Sequence, residues 1–446
     1  MLLNTYDRAG GAARVAFDLF RTYQSLGHDV RMLVRHKRTS DDDVIEIDPY
    51  AYTTTWAPLC AMLEKQIMQL PRFRGRYRLA DWLRRCAMPQ RWFDHMRGIE
   101  DFNYPYSYHI LQNPEWTPDV IHVHNMHGDF FDVRALAPLS QRIPVVWTLH
   151  DAWALTGHCA HPINCERWRI GCGKCPDLHR PPSIQRDGTA QNWKRKQKVY
   201  ASSRLAIATP SQWLMKYVHQ SILRAQHMRV IPLGVDQTVY KPGDRMHART
   251  LLGLPYNAFI CVFVAYSAKT TNPYKDITTI NRAVQQVITQ LDSRNMLFLC
   301  VGQSKHQNTH QHFAFTGYVA DPKRVALYYQ AADVMIHAAN VDNFPCVILE
   351  ALACGTPVIA TAVGGIPEQI DDGVNGYLVP RSDAEAMADH ILDLARHPAR
   401  ARQMGQLAAE SAKKSFGLNR QAALYIEWFQ ELREMYQLGD LCDQRS

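Results

Sequence analysis

The stretch NVDNFPCVILEALACGTPVIATAVGGIPE, residues 340–368, decides the fold of this chain. Asn343 is a residue type that caps helix N-termini, so the pattern predicts a helix from about Phe344 to Cys354. The short apolar run from Pro357 to Ala360 is typical of a buried strand, and Gly364-Gly365 follows it as a turn that opens another helix. Helices that alternate with short apolar strands indicate parallel α/β architecture.

The same alternation runs along the rest of the chain in two groups. Strand-like runs in the first half are Val30 to Val34, Val120 to Val123, Val145 to Leu149, Leu205 to Thr209 and Val230 to Leu233. Those in the second half include Phe259 to Ala265, Leu297 to Val301, Val334 to His337 and Gly376 to Val379. A turn-rich stretch, Pro232 to Asp244, lies between them. The sequence predicts two Rossmann-like domains, residues 1–235 and 236–420, with the amphipathic tail 421–446 returning to the first.

Length and composition limit the class of protein. The chain has 446 residues, of which 46% are apolar and 21% are charged, which excludes disordered, collagenous and coiled-coil chains. No apolar run approaches the roughly 18 residues of a spanning helix, and the start MLLNTYDRAGG lacks the features of a secretory signal, so a cytoplasmic location is expected. The net charge of +8 mildly favours a partner that carries phosphate or an anionic surface, but is too small to indicate nucleic acid.

A basic, aromatic segment interrupts the first predicted domain between Trp56 and Gly98. Its pattern is helical. Its basic residues are Lys65, Arg72, Arg74, Arg76, Arg78, Arg84, Arg85, Arg91 and Arg97, and its apolar anchors include Phe73, Trp82, Trp92 and Phe93. This composition suits an anionic membrane surface, so peripheral attachment at the inner membrane face is predicted. The alternative is a solvated insertion whose aromatic side chains pack on the domain.

Four cysteines crowd a second interruption, residues 159–175. They are Cys159, Cys165, Cys172 and Cys175. A Cys-x2-Cys knuckle with two cysteines upstream supplies four thiolates, so structural zinc is predicted in a loop otherwise too polar and Gly-rich to pack. Unliganded thiols and an iron–sulfur cluster are the alternatives, and His158 or His161 could replace one ligand. Such a metal would brace the loop and would do no chemistry.

Two glycine pairs and two carboxylates carry the chemical signal. Gly10-Gly11 follows the first apolar run and lets a ligand approach the start of a helix, although a tight turn without a ligand would look the same. Asp342 precedes the helix in the stretch quoted above, and Glu350 lies about two turns from its cap, on the same face. A helix start flanked by two carboxylates and by Gly364-Gly365 is a more specific sign of a ligand-binding site than a single glycine turn. The free backbone N–H groups of such a helix start can bind a diphosphate.

The pair Asp342 and Glu350 resembles the Glu-x7-Glu signature of the retaining glycosyltransferases of family 4, which have the GT-B architecture. Further motifs follow the family's order over nearly the whole chain. They are Gly10-Gly11-Ala-Ala-Arg14, Leu26-Gly-His28, Thr148-Leu-His150-Asp151, Ser211, Pro232-Leu-Gly234-Val-Asp236, Phe315-Thr-Gly317, Ala332-Asp333 and Asn375-Gly376. The region from Trp147 to the cysteine cluster resembles, more narrowly, exopolysaccharide enzymes such as colanic acid biosynthesis glycosyltransferases. The resemblance implies two Rossmann-like domains that face a central cleft, with a C-terminal helix crossing back to the first.

The resemblance also implies residue roles. Glu350 is expected to accept hydrogen bonds from the ribose hydroxyls of a donor nucleotide. Asp342, one methylene shorter than the family's Glu, is expected to face the donor sugar hydroxyls. Lys275 fits the family's diphosphate-binding lysine, and Lys269 is the best substitute for an expected arginine that the loop lacks.

The remaining predicted site residues lie at helix starts and at a strand end. His150 is expected near the donor's reacting sugar, although a lone histidine is more often structural. His122, His124 and His127 have no assigned role. Six residues complete the predicted donor-binding set: Gly10, Gly11, Asn343, Phe344, Gly364 and Gly365.

The implied reaction moves a hexosyl group from a nucleotide-diphosphate sugar to a glycan, with retention. The expected acceptor is linked to a polyisoprenyl diphosphate. No catalytic metal is expected, because Lys275 and the helix dipole would stabilise the leaving diphosphate. A sugar-nucleotide epimerase or phosphorylase of the same shape is the alternative. A zinc-knuckle nucleic-acid-binding protein is disfavoured because it leaves Asp342 and Glu350 without a role.

Overall fold

The computed structural model describes residues 1–8, 10–48, 51–53, 56–71, 73, 75–112, 116–264, 272–290, 296–302 and 312–443. The chain divides into two compact units. The first combines Met1–Thr209, Met215–Val230 and Tyr425–Ser446, and the second combines Pro210–Leu214 and Ile231–Leu424.

The first unit is built on a sheet of seven parallel strands in the order β3-β2-β1-β4-β5-β6-β7. The strands are β1 Leu2–Tyr6, β2 Met32–His36, β3 Val44–Glu46, β4 Ile121–Val123, β5 Val145–Thr148, β6 Leu205–Thr209 and β7 His227–Val230. The strand order reverses between β1 and β4. Open α/β sheets bind ligands at such a switch point, beyond the carboxyl ends of the strands.

The structure describes eight α-helices between β1 and β8, and not all of them belong to this unit. They are α1 Gly11–Ser25, α2 Trp56–Gln69, α3 Arg76–Ala87, α4 Pro89–Met96, α5 Leu136–Ser140, α6 Thr189–Ala201, α7 Gln212–His219 and α8 Arg245–Leu252, the last of which belongs to the second unit. The segment from Trp56 to Gly98 is helical, as the sequence predicts. In the part of the chain that the structure describes, no helix is long and apolar enough to cross a membrane.

The second unit is built on six parallel strands in the order β10-β9-β8-β11-β12-β13. The strands are β8 Phe259–Val264, β9 Met296–Val301, β10 Phe313–Phe315, β11 Val334–His337, β12 Val358–Thr361 and β13 Gly376–Val379. The helices are α9 Ile277–Gln290, α10 Pro322–Ala331, α11 Cys346–Ala353, α12 Ala384–Arg396 and α13 Pro398–Ser415. The switch point here lies between β8 and β11.

Apolar strands explain why both sheets are buried. All six residues of β9 and all four of β12 are buried, and parallel strands covered on both faces need apolar side chains on both. Two tandem Rossmann-like domains are therefore confirmed. The structure corrects two details: β7 ends at Val230, where the predicted strand begins, and β3 and β10, three residues each, were not predicted.

The last helix, α14 Leu418–Asp443, returns to the first unit from Tyr425 onward. The Tyr425 hydroxyl lies 2.7 Å from Thr148 Oγ1 at the end of β5. Further along, the Tyr436 hydroxyl donates to the Ser140 carbonyl at 3.0 Å, and Trp428 is 1% exposed. The C-terminal helix therefore forms part of the first unit's core.

Candidate functional site

Two loops meet at the switch point of the second sheet. The Asp276 amide donates to the Ala338 carbonyl at 3.1 Å, and the Asn340 amide donates to the Tyr274 carbonyl at 2.9 Å. The backbone after β11 is thereby tied to the segment that precedes α9. This pairing carries Lys275 and Asp342 to the same edge of the sheet.

Lys275 and Asp342 form an ion pair. Lys275 Nζ donates to Asp342 Oδ2 at 2.6 Å, and the Lys275 side chain remains 39% exposed. Burial alone would raise the pKa of the Asp342 carboxyl, but the Lys275 ammonium and the nearby His337 ring hold that pKa well below its ordinary value. Asp342 is therefore an anion whose charge is shared with a half-exposed cation.

His337 is the third member of this group, and the sequence did not indicate it. It is the last residue of β11, and its Nε2 lies 3.7 Å from Asp342 Oδ2. Burial and the Lys275 charge both lower the pKa of His337. At this distance the two groups make no hydrogen bond, and Nε2 is buried without a hydrogen-bond partner among the described residues. His337 is therefore an electrostatic neighbour of Asp342. A polar residue at a strand's carboxyl end is the signal that would have found it.

The loop after β12 packs directly on the backbone of residues 342 and 343. A Cβ at Gly364, which has φ +61°, would lie 1.8 Å from the Asp342 carbonyl oxygen, and a Cβ at Gly365 would lie 1.9 Å from the Asn343 carbonyl oxygen. The Gly365 amide donates to the Asp342 carbonyl at 3.1 Å. Both glycines are needed for this approach of one loop to another, which fixes the backbone that carries Asp342.

The helix at the site starts later than predicted. It begins at Cys346, with Pro345 in extended geometry at the N-cap. The residue before a proline is restricted to extended backbone, so the helix does not begin at Phe344. Asn343 is not the N-cap either, because its Oδ1 accepts a hydrogen bond from the Ser211 hydroxyl at 2.6 Å. The Phe344 ring packs edge-on against Phe416, so only its backbone is available to a ligand.

Glu350 lies on α11 and is 4% exposed. The Tyr329 hydroxyl donates to Glu350 Oε2 at 3.1 Å. Through this contact, Tyr329 on the neighbouring helix α10 fixes the position of one carboxylate oxygen of Glu350. Tyr329 is a second site residue that the sequence did not indicate, because only the fold brings α10 beside α11.

In the first unit, Gly10 and Gly11 open α1 at the switch point beside β1. Gly10 is the N-cap, with φ +86° and ψ 174°, a conformation that is essentially restricted to glycine. A Cβ at either position would meet no atom within 4 Å. The space beside this helix start is therefore open, which is what a ligand-binding role for the pair requires. Lys269 lies outside the described residues.

A chain of histidines runs along the carboxyl ends of β4 and β5. His124 Nδ1 lies 2.9 Å from His150 Nε2, while His124 Nε2 is buried without a hydrogen-bond partner among the described residues. A buried N–H without an acceptor is costly, so we assign the His124 proton to Nδ1, which donates to His150. Burial lowers the pKa of His150 to about 4. His150 is therefore neutral at physiological pH.

Asp151 and His127 form a second ionic contact beside this chain. His127 Nε2 lies 2.9 Å from Asp151 Oδ2, and the Trp153 amide donates to Asp151 Oδ1 at 2.8 Å. Burial opposes ionisation of both groups, but their mutual attraction lowers the pKa of Asp151 to about 2 and raises that of His127. The pair fixes the loop that follows His150.

The structure does not support the predicted zinc site. Among the described residues, no group of three or more His, Cys, Asp or Glu side chains is arranged to hold a metal ion. Burial raises the pKa of Cys159 to about 12 and that of Cys172 to about 11 in this metal-free arrangement. The Cys172 sulfur accepts from the Gly157 amide at 3.3 Å, and His158 Nε2 lies 3.4 Å from the Cys175 sulfur. The cysteines, including Cys165, are free thiols in this arrangement.

Solved structures with the same fold cover nearly the whole chain. Sucrose-phosphate synthase from Thermosynechococcus elongatus aligns with a TM-score of 0.64 and 21% identity, over 97% of this chain and 98% of that one. Anabaena HepE in complex with UDP and glucose aligns with a TM-score of 0.62 and 17% identity, over 96% and 98%. At these identities the likeness concerns the fold.

Sequence relatives match shorter stretches. The putative colanic acid biosynthesis glycosyl transferase WcaC of Escherichia coli is 26% identical over 265 residues, 55% of this chain and 60% of WcaC. The D-inositol 3-phosphate glycosyltransferase of Kribbella flavida is 33% identical over 202 residues, 42% of this chain and 47% of that enzyme. The chain thus spans about half to three fifths of the length of these relatives.

Two family descriptions match consecutive parts of the chain. Residues 259–397 match "Glycosyl transferases group 1". Residues 9–239, more than half of the chain, match "Glycosyltransferase Family 4". This protein belongs to glycosyltransferase family 4.

Proposed function

We propose that the chain is a retaining hexosyltransferase that uses a nucleotide-diphosphate sugar as donor. The observation that carries the proposal is the Lys275–Asp342 pair at the switch point of the second sheet. An ammonium group binds a diphosphate, and a carboxylate accepts hydrogen bonds from sugar hydroxyls. The two side chains therefore match the two halves of a sugar nucleotide on either side of the bond that breaks.

The leaving group gains negative charge as the glycosidic bond breaks. Lys275 stabilises this charge most strongly in the transition state, which is the condition for raising turnover. When its ammonium moves toward phosphate, Asp342 loses its cationic partner and becomes free to accept hydrogen bonds from donor hydroxyls. Glu350 is assigned to the ribose hydroxyls, with Tyr329 fixing its orientation.

His150 is proposed to contact a sugar hydroxyl as a neutral ring. Its pKa of about 4 excludes a charged imidazolium at pH 7, so it acts by hydrogen bonding and not by attracting the diphosphate. The open start of α1 at Gly10 and Gly11 is proposed as a further phosphate-binding position, because free backbone N–H groups at a helix N-terminus favour anions.

The acceptor is proposed to be a glycan carried on polyisoprenyl diphosphate in exopolysaccharide biosynthesis. WcaC is described as a colanic acid biosynthesis enzyme, and the residues from Trp147 to the cysteine cluster resemble that group. The inositol phosphate glycosyltransferases among the relatives make a soluble phosphorylated acceptor the second candidate.

A donor panel with two acceptors tests the proposal. UDP-glucose is the first donor to use, since it was bound in a solved HepE structure. We expect release of the nucleoside diphosphate together with a hexose mass added to the lipid-linked acceptor, with the donor's anomeric configuration retained and with full activity in excess EDTA. Interconversion of donor sugars without transfer would instead identify an epimerase. Loss of activity in EDTA would overturn the assignment of charge stabilisation to Lys275.

A further inference from the structure

The helical hairpin formed by α2, α3 and their connection, residues 56–87, presents large apolar side chains to solvent. They are Trp56, Leu59, Met62, Leu63, Leu70, Phe73, Tyr77, Leu79 and Trp82. Trp82 is 58% exposed and Tyr77 is 66% exposed. A soluble helix normally turns such residues inward, so this concentration of apolar surface marks a binding face.

Most of the hairpin's buried side chains are small, and Leu83, 7% exposed, is the large apolar exception among the described residues. In α2 only Ala57 and Cys60 are buried among the residues that the structure describes. Together with Ala87 of α3 they form a cluster separate from the main core. The nine exposed apolar side chains therefore contribute little to folding, and stability of the unit does not explain why they are apolar.

The hairpin also carries most of the chain's net charge. Residues 56–87 contain seven Lys and Arg against two Asp and Glu, a net of +5 out of +8 for the whole chain. Lys65 and Arg78 are exposed beside the apolar side chains. Exposed Trp, Tyr and Leu interleaved with cations form the composition that lies in the interfacial region of a bilayer.

The end of the insertion is anchored in the first unit. Arg91 Nε lies 2.8 Å from Asp101 Oδ2, and its guanidinium covers the Tyr104 ring. The Gly98 carbonyl accepts from Asn192 Nδ2 of α6 at 2.9 Å. The segment that follows the hairpin is thus fixed on the first unit.

From these observations we propose that the hairpin docks the protein on an anionic lipid bilayer. Its apolar side chains enter the interfacial region, while Lys65 and Arg78 contact lipid phosphates. A second copy of the chain is a poorer occupant, because a symmetric pairing would bring together two segments that each have a net charge of +5. This inference goes beyond the proposed transfer activity and does not require it.

Co-sedimentation of the full chain with vesicles tests the proposal. The vesicles are phosphatidylcholine alone or with about 30% phosphatidylglycerol, in about 0.05 M and about 0.5 M salt. We expect binding to the anionic vesicles at low salt, weakened by salt and by omission of the anionic lipid. Leu79→Ser/Trp82→Ser should lower partitioning about tenfold or more, because it removes buried apolar area. Lys65→Gln/Arg78→Gln should lower it roughly tenfold at low salt only.

Matched controls lie in the second unit. Leu251→Ser/Tyr256→Ser changes two exposed apolar side chains on or just after α8, and Lys323→Gln/Arg324→Gln changes two exposed cations at the start of α10. Both controls should bind vesicles as the unmodified chain does, and circular dichroism should show all variants folded.

The proposal fails if the protein does not bind anionic vesicles at low salt or if the hairpin variants bind as the controls do. It also fails if light scattering shows a dimer that the Leu79→Ser/Trp82→Ser variant loses. A transferase assay with soluble substrates reads the proposed function separately.

Discussion

Asp342 and Lys275 form an ion pair in the absence of substrate. At 2.6 Å the pair satisfies the carboxylate with a cation that the family resemblance assigns to the diphosphate. A ligand phosphate must therefore compete with Asp342 for Lys275. Since the Lys275 side chain is 39% exposed, solvent screening weakens the pair and lowers the free-energy cost of this exchange.

Removal of the Asp342 charge should separate binding from turnover. In Asp342→Asn, Lys275 loses its competing partner, so affinity for the free nucleoside diphosphate should stay unchanged or rise a few-fold, while kcat falls by about tenfold or more as contacts to the sugar are lost. Lys275→Ala should weaken the same nucleotide and lower kcat as well. Titration calorimetry with UDP and steady-state kinetics would measure the two effects. A large loss of nucleotide affinity in Asp342→Asn would contradict the assignment.

Glu350→Gln should weaken donor use by about tenfold or more, because each hydrogen bond between a ribose hydroxyl and an ionised carboxylate contributes roughly 1.5–3 kcal/mol. Tyr329→Phe is the matched control. It removes the hydroxyl that donates to Glu350 Oε2 but leaves the carboxylate charge, so its effect on KM for the donor should be clearly smaller. Equal effects of the two substitutions would assign Glu350 a structural role only.

The Asp151–His127 pair predicts a pH window of stability. The pKa of Asp151 falls from 3.8 to about 2 on folding, so its contribution is present above about pH 4 and is lost as the pH falls toward 2. The pKa of His127 rises above 6.5, so its contribution is complete below pH 6.5 and is lost as the pH rises through the raised value. The difference in unfolding free energy between the unmodified chain and Asp151→Asn should be largest between about pH 4 and 6.5. Denaturant titrations across pH would measure it, and a difference that keeps growing above pH 8 would contradict the pairing.

At the residue scale, the sequence indicated Asp342, Glu350 and Lys275 because they match a family pattern, and it missed the side chains that lie against them. Of the first two, only Glu350 lies on α11, which begins at Cys346. The contacts of His337 with Asp342 and of Tyr329 with Glu350 depend on strand and helix neighbours, which no local pattern specifies.

At the scale of elements, the Gly364-Gly365 loop positions the backbone that carries Asp342. The sequence predicted close approach, and the structure shows that the approach is to the backbone of residues 342 and 343.

Gly365→Ala places a Cβ 1.9 Å from a carbonyl oxygen, so the loop after β12 must move and displace Asp342. We expect a fall in activity of at least about tenfold. Gly11→Ala is the control for a glycine with open space around it, and it should alter thermal stability little. Normal kinetics in Gly365→Ala would show that the loop position does not matter.

Element boundaries show where local signals end. Most strands of four to six residues were found from sequence, but β7 was placed too late in the chain, and β3 and β10, with three residues each, are too short to give a pattern. The start of α11 was misplaced because Asn343 is a good cap in general, while Pro345 imposes extended backbone on the residue before it.

At the scale of the whole molecule, the C-terminal helix determines how the first unit is completed. From Tyr425 onward, α14 supplies residues that are as buried as those of the central strands: Tyr425, Trp428 and Leu432 are each at most 1% exposed. The amphipathic pattern predicted the helix. The family resemblance implied its return to the first domain, and the structure gives the contacts that dock it there, such as that between Thr148 and Tyr425.

This long-range docking predicts that the first unit depends on the end of the chain. Trp428→Ala removes a fully buried side chain, which costs about 3–5 kcal/mol in typical cores, and it also removes the ring that Arg229 of β7 covers. We expect the first unit to unfold at a lower temperature while the second keeps its own transition, because Trp428 belongs to the first unit only. Differential scanning calorimetry would resolve the two transitions. Leu407→Ala, an exposed position on α13 of the second unit, is the control and should shift neither. A Trp428→Ala chain with an unchanged first-unit transition would mean that α14 is not part of that unit's core in solution.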